Sequence, residues 1–434
     1  MDVSNCFTVR KNMNLRDSRA ADKTFNSTSF YMSCRLNDGA KIQHFSHFTK
    51  YIFYVSRFCR IFAHCKMLNI KIKKTMKRQL TTENIEKGLV LGKVNLSGWS
   101  LCIGAGTSQP VFPSWEELVN SLIHDINPDI RPRACKEVMN SFSYDTLIQA
   151  AYTLTEQKEN FAQYLQKKLY SKLEGATTSE ELDCLRFVFT QVTANRFEDE
   201  VLVNYIKVRD RLFKSTSAYV LARIVKDATD MNLQPKSIMS FNAESLLYSL
   251  IISFEREPYI GKSKKKKDVK EILDMVTSST CHCLSGRTPY IFCHGALLEG
   301  LREGDYYNMS QGTPNLVFSE SSYINLANKV FSWQSSNFLH YCSSSVVIFV
   351  GISFTDPNIR KWLTWIQTER SLESGKEGTL HYWINVKPRN VESMAWIEAS
   401  VWHLGVRIIW MNSWDELDYV IRMILALPPY DKKE

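Results

Sequence analysis

The chain changes texture at Ser100. Leu101-Cys102-Ile103 is a short apolar run, followed at once by Gly104-Ala105-Gly106-Thr107-Ser108 and then by Pro113-Ser114-Trp115-Glu116-Glu117-Leu118. That order predicts a strand, a tight turn and a helix. Ser114 can cap the helix, and Glu117 three residues later completes a capping box ahead of Leu118, Val119, Leu122 and Ile123. Residues 141–225 then set apolar stripes against charged faces such as Gln157-Lys158-Glu159 and Gln166-Lys167-Lys168, with almost no Gly or Pro. This spacing predicts amphipathic helices whose stripes pack as core, an insertion covering about residues 141–230.

Strand-like runs return at Ser237 to Phe241, Pro289 to Cys293, Asn315 to Phe318, Val346 to Val350 and His381 to Val386. Val346-Val347-Ile348-Phe349-Val350 is apolar at every position, as a strand buried on both faces of a parallel sheet requires. Helical segments intervene, from Tyr323 to about Cys342 and from Pro357 to about Thr368. The alternation predicts an α/β fold: a Rossmann-like, mostly parallel sheet with crossover helices and a helical insertion.

Composition narrows the class. With 434 residues and 44% hydrophobic positions, the chain has material for a large core. The apolar, aromatic stretch Tyr51 to Cys65 is broken by Arg57 and Arg60, so it falls short of a membrane span. The N-terminus lacks the order of a secretory signal, which makes a cytoplasmic protein the expectation. The net charge of +9 is unevenly placed: residues 1–80 carry +12, and residues 81–434 carry −3. Residues 1–80 therefore read as an appended basic extension, and 81–434 as the main domain, which has no nucleic-acid character. Lys71 to Arg78 reads as a solvated linker, with a phosphate-contacting arm as the alternative, and Lys264 to Lys267 as a solvated loop. Eleven scattered cysteines favour free thiols over disulfides. Cys281-His282-Cys283 has no second ligand pair to complete a zinc site, so no metal is expected.

A strand ending in Gly-Ala-Gly lets main-chain N–H groups approach a pyrophosphate, because no Cβ blocks them. It is not a dehydrogenase fingerprint. The third glycine would fall at Gln109, and Asp125 lies in a polar Asn/Pro stretch rather than at a strand end. A tight turn without a ligand is the alternative reading.

Gly104-Ala105-Gly106-Thr107-Ser108 resembles the opening motif of the sirtuin-like NAD-binding family, and four further stretches match that family in order. They are Phe241-Asn242-Ala243-Glu244-Ser245; Tyr290-Ile291-Phe292-Cys293-His294-Gly295; Phe349-Val350-Gly351-Ile352-Ser353-Phe354 with Asp356-Pro357-Asn358; and Trp383-Ile384-Asn385-Val386. The resemblance implies NAD+ as substrate, Asn242 and His294 as catalytic residues, and Gly104, Ala105, Gly106, Thr107, Ser108, Glu244, Gly351, Ser353, Asp356 and Asn385 as the residues that bind it. Asn242 would hold a ribose hydroxyl or the attacking water, and His294 would accept a proton. Glu244 stands where the family usually has Asp at the nicotinamide amide. Ser353 and Asp356 also suit the cap of the helix that starts near Pro357.

Within the family the chain is most similar to bacterial sirtuin-like anti-phage effectors. It has no Cys-x-x-Cys, whereas protein deacetylases carry two such pairs in a zinc module. The likeness implies an NAD+ glycohydrolase (NADase) that depletes NAD+ in abortive infection, acting as a homo-oligomer under a phage-derived trigger or a partner defence protein, with no membrane. The alternatives are an NAD-dependent protein deacylase and a non-catalytic module that senses NAD or ADP-ribose. The helical insertion and the aromatic region Trp396 to Leu427 offer surfaces for self-association, though core packing accounts for them equally well.

Overall fold

Alternate residues of each central strand serve two different cores. In β2 (Trp99–Ile103), Leu101 and Ile103 join one apolar cluster and Cys102 the other; in β6 (Val346–Val350), Val346, Ile348 and Val350 face the first and Val347 and Phe349 the second. Every position of both strands is buried. A sheet covered on both faces leaves no polar side to alternate with, hence the unbroken apolar runs.

The computed structural model describes residues 80–82, 97–156, 161–190, 198–262, 271–281, 283–298, 316–329, 331–374 and 381–429. The chain divides into two compact units, residues 1–70 and 71–434. The first unit, Lys71 to Arg78, Lys264 to Lys267, the stripe at Gln157 to Glu159, His282 and Asn315 lie outside the described residues. In the second unit, β1 (Leu80–Thr81), β2, β3 (Ile238–Ser240), β4 (Leu273–Val276), β5 (Thr288–Phe292), β6, β7 (His381–Val386) and β8 (Val406–Met411) form one all-parallel sheet in the order β1-β8-β7-β6-β2-β3-β5-β4. This is the expected Rossmann-like α/β arrangement.

Between β2 and β3 the chain runs through α1 (Trp115–Ile126), α2 (Pro132–Ser141), α3 (Tyr144–Leu154), α4 (Phe161–Ala176), α5 (Ser179–Thr190), α6 (Asp199–Leu212) and α7 (Ser217–Asp230). These helices, with α8 (Leu246–Arg256) and α13 (Leu417–Leu425), pack on the first face. The second face is covered by α9 (Glu320–Asn328), α10 (Trp333–Ser344), α11 (Pro357–Ser374) and α12 (Glu392–Trp402). The capping box of α1 forms: Ser114 N donates to Glu117 Oε2 at 2.7 Å, and Glu117 N to Ser114 Oγ at 3.2 Å.

Several elements differ from the pattern-based expectation. Leu316–Phe318 is loop rather than strand; Val317 N donates to His294 O at 3.0 Å, outside any ladder. The single helix expected over Tyr323 to Cys342 is two, because Ser332 and Ser335 form a capping box that starts α10 afresh. Strands β4 and β8 carried no expectation, and Leu80, the last residue of the basic stretch, pairs with Ile409 of β8.

The turn after β2 is shaped by a close approach of glycines. Gly104 N donates to Val350 O and Gly106 N to Gly351 O, both at 3.1 Å. A Cβ at Gly104 would stand 2.6 Å from Gly351 O, and one at Gly351 would stand 2.6 Å from Thr107 N, with Gly351 at a positive φ of 67°. Gly351→Ala therefore combines left-handed strain with a backbone clash, and is expected to cost about 2–4 kcal/mol. Gly175, in α4, meets nothing within 4 Å, so Gly175→Ala should gain about 0.5–1 kcal/mol from helix propensity. Urea unfolding of the two variants checks both signs.

Candidate functional site

In an all-parallel sheet every strand ends on the same edge, so the strand-end motifs meet there. Gly104 to Ser108 follow β2, Asn242 and Glu244 follow β3, His294 follows β5, Gly351, Ser353 and Asp356 follow β6, and Asn385 sits near the end of β7. Strand β2 lies between β3 and β6, where the winding reverses direction, and such a switch point is where open α/β sheets form a crevice.

Asn242 and Glu244 form one buried cluster with the turn. Asn242 Nδ2 donates to Glu244 Oε1 at 2.8 Å and, at 3.3 Å each, to Thr107 Oγ1 and Ser108 Oγ. Ser108 Oγ donates to the same carboxylate oxygen, while Glu244 Oε2 accepts from Leu246 N at 2.6 Å. Glu244 thereby sets which way the amide points: its nitrogen faces the carboxylate, leaving Asn242 Oδ1 without a hydrogen-bond partner among the described residues although the residue is 6% exposed. A buried, unpaired acceptor is costly unless a ligand or water meets it. Burial pushes the Glu244 carboxyl up, and the hydrogen bonds from Ser108, Leu246 N and Asn242 offset only part of that rise.

His294 is held on three sides. Its ring meets Phe241 edge-on at 4.7 Å and Tyr323 edge-on at 5.2 Å. Nδ1 lies 3.4 Å from the Tyr323 hydroxyl and Nε2 lies 3.3 Å from Asp356 Oδ2. Nε2 makes no hydrogen bond among the described residues, so the contact with Asp356 is one of charge and proximity. Burial alone would raise the Asp356 carboxyl, but the facing His294 ring and the N–H groups of Ile359 and Asn358 outweigh it and hold it below the usual carboxylate range. Burial and the charges of Asp356 and Asp145 push the Tyr323 phenol well up, so it remains a neutral hydroxyl.

A pocket of about 380 Å³, counted to its open mouth, runs past Ala105, Ser108, Asn242 and Glu244, with Trp115, Leu169 and Phe318 on its apolar walls. The Trp115 and Phe318 rings are 5.0 Å apart and tilted by 46°. Glu244 is the one ionisable residue among the described residues of this lining. Asn242 thus reaches the pocket directly, whereas His294 stands behind Phe241 and is not part of the wall.

The remaining sequence-derived candidates lie apart from that wall. Ser353 is exposed and pairs with Thr355 Oγ1 at 2.7 Å. Asn385 Oδ1 accepts from Val386 N at 2.9 Å. Gly104, Gly106 and Gly351 are in mutual contact, and the N–H groups of Gly104, Gly106, Thr107 and Ser108 are all taken by protein carbonyls. The glycines thus answer to strand packing, and those four amides are not free for a pyrophosphate. Tyr323 and the apolar wall were missed in the sequence, since a tyrosine on a helix carries no signal until a histidine is seen beside it. Among the described residues no group of three His, Cys, Asp or Glu could hold a metal, and no helix is long and apolar enough to cross a membrane.

Fold and site together define a doubly wound, all-parallel α/β protein with a pocket at the strand ends beside the switch point. A family model described as SIR2-like domain matches residues 260–401, less than half of the chain, and that stretch carries His294, Gly351, Ser353, Asp356 and Asn385. The match supports a sirtuin-like family, whose chemistry is typically NAD-dependent. No curated relative matches the chain.

A carboxyl held above its ordinary value of 4.5 keeps its proton after the unfolded chain has lost it, so its contribution to stability declines as pH rises past that value. Glu244→Gln removes this titration. Its unfolding free energy should fall less than that of the parent between about pH 4.5 and about pH 7, as measured by urea titration across that range.

Proposed function

We propose that the chain is an NAD+ hydrolase of the sirtuin-like type, cleaving the nicotinamide–ribose bond. The observation that carries this reading is Asn242 Oδ1: a buried acceptor with no partner among the described residues, on the wall of a pocket at the switch point, one strand away from His294. Its nitrogen is already clamped by Glu244, Ser108 and Thr107, so the oxygen is preset to take a hydrogen bond from a ribose hydroxyl or from the attacking water.

The apolar walls and the single carboxyl suit a pyridinium carboxamide better than a diphosphate, because no Lys or Arg is among the described residues that line the pocket. Trp115 and Phe318 offer faces for the ring, and Glu244 lies within the same lining for its amide. In the reaction the bond between the anomeric carbon and the ring nitrogen breaks, its electron pair leaving with nicotinamide. The water oxygen bonds to the carbon, and we assign the released proton to His294, which it must reach past the Phe241 ring. The products are nicotinamide, ADP-ribose and one proton.

Protein deacylation is the weaker reading, since the chain has no Cys-x-x-Cys to build the deacetylase zinc module. The setting we propose, cytoplasmic NAD+ depletion in anti-phage defence by a triggered homo-oligomer, rests on the motif resemblance.

Purified protein incubated with NAD+ should release nicotinamide, followed by chromatography, without stimulation by an acyl-peptide. His294→Ala and Asn242→Ala should each lower release by about 100-fold or more; unchanged turnover in His294→Ala removes His294 from the chemistry. Binding of NAD+ without turnover by the parent protein would favour a sensor.

A further inference from the structure

Asp356 divides two duties between its two oxygens. Oδ1 accepts from Asn358 N at 2.7 Å and Ile359 N at 3.1 Å, capping α11. Oδ2 lies 3.3 Å from His294 Nε2. The cap fixes the side-chain rotamer, and with it the position of Oδ2. On its other side, His294 Nδ1 faces the Tyr323 hydroxyl at 3.4 Å. A proton on Nε2 lies on the carboxylate's side of the ring, 3.3 Å from Asp356 Oδ2, and the bare Nδ1 can then accept from the phenol. The opposite tautomer aims a lone pair at a carboxylate; the phenol, which can donate or accept, suits either, so Asp356 decides between them.

We propose that Asp356 is the positioning residue of the site, fixing the proton of His294 on Nε2 and leaving Nδ1, on the Tyr323 side, as the nitrogen that takes up a proton during turnover. The inference rests on His294 acting as base in the proposed hydrolysis. When Nδ1 is protonated, the imidazolium faces a carboxylate that also accepts the two capping N–H groups, so the charge is met as it forms. Phe241 and Tyr323 close on the ring from two directions and oppose its flipping.

Asp356→Asn tests this because the cap dictates how asparagine must sit. Two backbone N–H groups require an oxygen at the Oδ1 position, so the amide nitrogen has to face His294 and donate to Nε2, driving the imidazole proton to Nδ1. Asparagine is also a good N-cap, so the helix start is preserved. In the full-length protein, ¹⁵N NMR of the imidazole should show Nε2–H in the parent and Nδ1–H in Asp356→Asn. Nicotinamide release should fall about 100-fold or more in kcat, with KM changed by less than about threefold.

The same protonated nitrogen in both proteins, Nδ1–H in the parent, or full turnover in Asp356→Asn would each overturn the proposal. The parent spectrum alone tests the tautomer should the variant fold poorly. The NMR result does not depend on turnover. A parent that shows Nε2–H and a shifted variant but releases no nicotinamide would retain the Asp356–His294 pairing and reject the hydrolase reading.

Discussion

Everything at the strand-end edge depends on how closely β2 and β6 approach at their C-terminal ends. Three glycines allow it. Gly104 and Gly106 pass their N–H groups to the carbonyls of Val350 and Gly351, and Gly351 adopts a left-handed conformation with its Cα against Gly106. Any side chain at these points would prise apart the two strands at the switch point of the sheet. The turn that results delivers Thr107 and Ser108 to Asn242, and the residues after Gly351 carry Asp356 to His294.

The site is built from groups that do two things at once. Ser108 and Glu244 close a small buried network and in doing so orient the Asn242 amide. Asp356 starts a helix and faces an imidazole. Tyr323 packs its ring on that imidazole and turns its hydroxyl to Nδ1. Sharing of this kind leaves few free rotamers, and preorganisation of polar groups in a dry environment is what makes their electrostatics effective.

The sequence displayed the framework well. The five-residue run of β6 has its observed limits because burial on both faces leaves a continuous apolar signature, and Ser114 and Glu117 form the capping box that their spacing implied. Strand β4, Leu273–Val276, was silent because its two middle residues are only half-buried and one of them is Asp274. β8 lay hidden among the helical aromatics of the C-terminal region. At the site, motif order brought Asn242 and His294 into consideration, and both fall at the ends of adjacent strands. The true reason for the glycines, the orphaned Oδ1 and the Tyr323 contact are three-dimensional facts without a local pattern. Capping was visible at Asp356, while its second oxygen was not.

The helical layer between β2 and β3 is more than an appendage to the sheet. From α4, Leu169 forms part of the pocket wall, while Tyr170 Oη and Gln166 Nε2 bond the carbonyls of Leu297 and Leu298, three and four residues beyond His294. A trimmed version of this protein, cut back to the strands and their crossovers, would lose one side of its cavity together with the two hydrogen bonds that tie down the histidine loop. The minimal unit of the chemistry is therefore larger than the minimal unit of the topology.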